Sequence, residues 1–117
     1  MIDKHQELRD RIKIFALRVI KMADVLPRTR AARIITNQVL RSATSMAANY
    51  RAVGRARSKA EFVAKLGLVV EEADETVFWL ELLVESGIVS AKKMRELLGE
   101  AGQLMLIFSA SKRTAKG

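Results

Sequence analysis

The chain has 117 residues, half of them apolar, and a formal net charge of +8. That length fits one domain with its own core. With no cysteine, disulfides and thiolate zinc sites are excluded. The charged N-terminus MIDKHQELRDRIK does not read as a signal peptide, and no segment approaches about 18 uninterrupted apolar residues. A cytoplasmic protein without a membrane span is expected.

A single proline, few aromatics and abundant Ala, Leu, Arg, Lys and Glu predict helix throughout. The first helix is expected over about residues 4–26, capped by Asp3 with Gln6 completing a capping box, and stopped before Pro27. Leu8, Ile12, Phe15, Val19, Met22 and Leu26 step by three and four residues and form its apolar stripe.

The second helix is predicted over 30–53, with Thr29 as cap and Gly54 as terminator. Ile35, Val39, Ala43, Met46, Tyr50 and Val53 share one face, and small residues on and beside it (Ser42, Ser45, Ala47, Ala48) suit a closely approaching backbone. Arg30, Arg33, Arg41, Arg51 and Arg55 project on the other side within a sector of about 80°. From Val25 to Ala60 there is no acidic residue, and Arg57 and Lys59 extend the basic run.

Ser58-Lys59-Ala60-Glu61 reads as a capping box opening a third helix over 59–86, with Gly87 as a left-handed stop. Phe62, Leu66, Val69, Ala73, Val77, Leu80 and Val84 make its core stripe. Leu68, Trp79 and Leu82 fall on a second sector, which suggests a subunit interface, since tryptophan is enriched at interface centres. The acids of this helix read as a solvated or interfacial face, because the Glu-x-x-His pairs of a carboxylate metal site are absent.

Ser90 caps a fourth helix over 91–111 with Met94, Leu97, Leu98, Ala101, Leu104 and Phe108 as core positions, and residues 112–117 are expected to be a frayed basic tail. Four helices with short connections imply an all-α, antiparallel up-down-up-down bundle forming one domain over 1–117.

Leu26-Pro27, Gln38-x-x-Arg41-Ser42-Ala43-x-Ser45-Met46-x-Ala48-Asn49, and Arg57-Ser58-x-x-Glu61-Phe62 occur in that order along the chain. In this it resembles the bacterial four-helix-bundle family of the 23S rRNA intervening-sequence proteins, which includes the accessory variability determinant of diversity-generating retroelements. The resemblance implies a barrel-like homopentamer with a basic surface for nucleic acid and, in the retroelement branch, contact with a reverse transcriptase. After the asparagine, Tyr50-Arg51-Ala52-Val53 replaces the family's frequent Ile-Ala-Glu-Gly.

A solvated face, or partners for the acidic third helix, would also account for the arginine stripe. Bidentate guanidinium forks repeated along one face favour phosphate. The functional expectation is a non-enzymatic homo-oligomer that binds structured RNA or RNA/DNA through Arg30, Arg33, Arg41, Arg51, Arg55, Arg57 and Lys59. The alternative is an accessory module that docks a partner protein such as a reverse transcriptase. Ser42 and Ser45 read as packing residues rather than nucleophiles, because His5 is the sole histidine. No cofactor or metal is expected.

Overall fold

The computed structural model describes residues 3–117. Four helices follow one another as α1 (Lys4–Asp24), α2 (Arg30–Val53), α3 (Lys59–Glu85) and α4 (Ala91–Lys116). The connections 25–29, 54–58 and 86–90 are short, so sequential helices run antiparallel, and the body measures 45 × 28 × 19 Å. α2 packs most extensively on α3 and less so on α1; α4 lies on α3 and meets α1 along a thin seam, while the α1 and α3 backbones lie on a diagonal without close approach. Among the described residues, no helix is long and apolar enough to cross a membrane.

Each helix starts at the side-chain cap that the sequence predicts. Asp3 accepts the amides of His5 and Gln6, Thr29 that of Ala32, Ser58 that of Glu61 and Ser90 that of Lys93. The two capping boxes form only half of their reciprocal pattern. Gln6 turns to Asp10, donating from Nε2 at 2.8 Å, and the carboxylate of Glu61 faces Lys65 across one turn.

Helix ends differ modestly from expectation. α1 stops at Asp24 rather than Leu26, because Pro27 excludes helical geometry at Leu26. The amides of Val25 and Leu26 fold back onto the carbonyls of Met22 and Ala23 as tighter turns. α2 ends at Gly54 in a right-handed conformation, whereas Gly87 takes the left-handed one, with φ of 81°.

The expected frayed tail is instead helix, since α4 runs on to Lys116. Arg113 and Lys116 lie in its last turn, where cations suit the helix dipole, and Lys112 reaches back over Gly67 of α3.

The core fills from all four apolar stripes: Phe15, Val19, Val39, Met46, Leu66, Val69, Leu80, Leu104 and Phe108 are fully enclosed. On α3 the buried stripe is rotated from the predicted one. Thr76 and Leu83 are buried, while Val77 and Val84 lie at its margin. Thr76 can enter because its hydroxyl is answered at once, donating to Ser42 Oγ at 2.9 Å, with Ser42 Oγ in turn 3.3 Å from the Val39 carbonyl.

Candidate nucleic-acid interface

With α3 on one flank and α1 on the other, the outer sector of α2 faces solvent along its whole length. Arg30, Arg33, Arg51 and Arg55 stand exposed there, and Arg57 and Lys59 continue the basic surface across the connection into α3. None of these six makes an ion pair among the described residues. Their donors are free for an external anion, and a guanidinium fork matches phosphate geometry.

Arg41 does not join this free set. It lies at the edge of the arginine sector nearest α3, where its Nη1 is 3.4 Å from Glu72 Oε2 and its Nη2 bonds the Glu75 carboxylate. Glu75 also accepts the indole N–H of Trp79 at 3.3 Å. The Trp79 bond first, then Arg41, holds the Glu75 carboxyl below the usual carboxylate range; the Glu75 bond raises Arg41 in turn. Asn49 donates within α2 to Ser45 Oγ at 3.1 Å.

Two basic residues of α1 belong to the same surface, although the arginine stripe alone does not reveal them. A groove of about 420 Å³ runs between α1 and α2, floored by Ala47 and Ala48 and walled by Arg9, Lys13 and Arg51, with Gln6 and Asp10 on its α1 rim. Arg9 and Lys13, four residues apart, lie on the α2 side of α1. That spacing was the available signal, but it acquires meaning only once the register of α1 against α2 is fixed. The small residues therefore serve two purposes: Ser42 and Ala43 are buried in packing, whereas Ala47 and Ala48 leave open floor.

A second crevice, of about 520 Å³, opens at the tip of the bundle, where Arg9 is again part of the lining. Here His5 Nδ1 lies 3.4 Å from the Tyr50 hydroxyl. Burial pushes the Tyr50 phenol upward and keeps it protonated, so it remains a donor.

On α3 the three predicted interface residues share an outward sector. Leu68 is 50 % exposed, and Trp79 and Leu82 are half-buried. Phe78, missed in the sequence, adds a 52 % exposed ring that meets Trp79 edge-on at 4.9 Å. On the far side of the bundle, Ile14 and Leu17 of α1 are also exposed.

Among curated proteins, none matches the chain significantly. Among solved structures, the chain is similar to a protein of unknown function from the S23 ribosomal protein family of Bacteroides thetaiotaomicron. The two are 27% identical, the alignment covers 95% of this chain and 99% of that one, and the TM-score is 0.85. Over residues 4–110 the sequence matches the profile of the 23S rRNA-intervening sequence proteins, and the chain belongs to that family.

Proposed function

We propose that this protein is a non-enzymatic homo-oligomer, five-fold as the family resemblance implies, that holds structured RNA or RNA/DNA by charge and shape on the α2 face. The observation that carries this reading is the set of six unpaired bases, Arg30, Arg33, Arg51, Arg55, Arg57 and Lys59, joined across a groove by Arg9 and Lys13. Family members are named for an intervening sequence of 23S rRNA, which fits an RNA partner. Phosphate contacts position a nucleic acid without reading its sequence, so binding is expected to be tolerant of base order and steeply salt-dependent.

The oligomer multiplies this surface. Its junction joins the α3 face of Leu68, Phe78, Trp79 and Leu82 in one copy to the α1 face of Ile14 and Leu17 in the next. The charges agree: α3 carries seven acids against two lysines, and Lys21 stands exposed on α1 four residues from Leu17. A junction between two different faces closes into a ring when its rotation allows.

The test is fluorescence anisotropy with a labelled RNA hairpin over a salt series, comparing wild type with Arg51→Ala plus Arg55→Ala. Both side chains are exposed, so helicity should persist. Affinity at low salt should fall about ten-fold or more, and the slope of log affinity against log salt should decrease by about 2. Unchanged affinity and slope would overturn the reading.

A further inference from the structure

The two openings beside Arg9 differ in shape and chemistry. The groove follows α1 and α2 over the flat floor of Ala47 and Ala48. The crevice is bounded by the first turn of α1, the end of α2, the 54–58 connection and the start of α3. A backbone lying in the groove and passing Arg9 therefore meets the 54–58 connection.

We infer that the crevice at the bundle tip seats the terminal phosphate of a nucleic-acid strand whose backbone lies along the Ala47–Ala48 groove, with Arg9, Lys59, His5 and the Tyr50 hydroxyl as its ligands. This rests on the nucleic-acid reading above and adds a preference for one kind of strand end.

Charge supplies the discrimination. A terminal phosphate monoester carries about −1.5 to −2 at neutral pH and three acceptor oxygens. An internal diester carries a single charge, so a site with two fixed cations and a phenol donor rewards the end of a strand over its middle. Lys59 and Arg9 line the crevice from opposite sides, α3 and α1. The Arg9 guanidinium reaches it with Nη1, within 3.7 Å of the position a side chain would take at Gly54, while its Nη2 donates to Gln6 Oε1 at 2.7 Å.

One carboxylate, Asp3, shares the lining and offsets one of the two fixed positive charges, while the other acceptors are engaged. Asp3 Oδ1 accepts the amides of His5 at 3.0 Å and Gln6 at 3.3 Å, and Ser58 Oγ accepts the Glu61 amide at 3.0 Å. Tyr50 has only the long 3.4 Å approach of His5 at its hydroxyl, so the phenol proton can turn to a stronger acceptor. Phe62 and Val53 supply an apolar wall on which the last sugar or base can rest.

The experiment uses the full chain and one RNA hairpin with a short single-stranded overhang, carrying a 5′-phosphate, a 3′-phosphate or neither. Anisotropy should show one phosphorylated form binding about ten-fold more tightly than the unphosphorylated hairpin. That ratio should fall several-fold in Tyr50→Phe and approach one in Arg9→Gln. Tyr50→Phe keeps the ring that packs 5.5 Å from Phe108, so the fold is retained, and circular dichroism checks it. Equal affinity for all three hairpins would remove the seat and leave the nucleic-acid reading standing. Failure of every hairpin to bind would remove both.

Discussion

Thr36 buries a hydroxyl that no other group answers: its Oγ1 is enclosed and lacks a hydrogen-bond partner among the described residues. A buried donor left unpaired costs about 1–3 kcal/mol, and valine keeps nearly the same shape without that cost. Thr36→Val is therefore expected to stabilise the protein by about 1 kcal/mol, read as a higher urea midpoint at unchanged slope. A lower midpoint would show that the hydroxyl is satisfied in solution. At the α1/α4 seam the opposite case holds. Arg11 donates to Glu100 through Nε at 2.8 Å and Nη2 at 2.7 Å, and Nη2 also meets Gln103 Oε1 at 2.9 Å. The Arg11 hydrogen bond, against some desolvation, holds the Glu100 carboxyl below its ordinary range. A carboxyl lowered in the folded state stabilises fully above its unfolded value, about 4.3, and loses that contribution as pH falls through the folded value beneath it. Glu100→Gln should cost up to about 1 kcal/mol at pH 7, because the pair is partly exposed. The gap from wild type should hold down to about pH 5 and close below pH 4, as measured by urea unfolding across that range.

At the scale of whole elements, glycines separate two kinds of position. Gly99 and Gly102 lie within α4, and a side chain at either would meet nothing within 4 Å. Alanine there lowers the entropy of the unfolded chain, so Gly99→Ala plus Gly102→Ala should add about 1–2 kcal/mol. Gly87, at φ of 81°, should behave inversely, with Gly87→Ala costing about 1–2 kcal/mol. Thermal melts of the two variants check both signs together. The elements themselves were legible because caps and apolar steps are local: Asp3, Thr29, Ser58 and Ser90 mark the four starts, and Ile12, Phe15 and Val19 already spell a stripe. What depends on register between helices was not legible. Thr76 looks polar on a wheel until Ser42 is opposite it, and Arg41 looks like its fellow arginines until Glu72 and Glu75 are beside it. Arg9 and Lys13 are ordinary surface bases until α1 is laid along Ala47 and Ala48. The helical continuation through Lys116 was missed because its support comes partly from α3, through Lys112 over Gly67.

For the molecule as a whole, the arrangement of apolar surface decides how copies can meet. The α1 and α3 backbones occupy opposite sides of the bundle, and each helix leaves large apolar side chains in solvent: Ile14 and Leu17 on one, Leu68 and Phe78 on the other. Two copies related by a two-fold axis would bring like faces together, and the acids of α3 would then oppose one another. Pairing α3 with α1 brings acid to base instead, and leaves each copy with one unused face to continue the assembly. This geometry yields a mixing test. Leu68→Glu plus Phe78→Glu spoils the α3 face, and Ile14→Lys plus Leu17→Lys spoils the α1 face. Each variant alone should be a helical monomer by light scattering at concentrations where wild type is larger. Mixed in equal amounts, they should form a dimer and nothing larger, since the intact α1 face of the first meets the intact α3 face of the second and no further junction is possible. If either variant alone forms a dimer through its intact face, the junction joins like faces, and a mixture that stays monomeric while wild type assembles would place the junction on another surface. A wild type that is monomeric at micromolar concentration would remove the oligomer, and the α2 arginines would then have to hold nucleic acid one copy at a time.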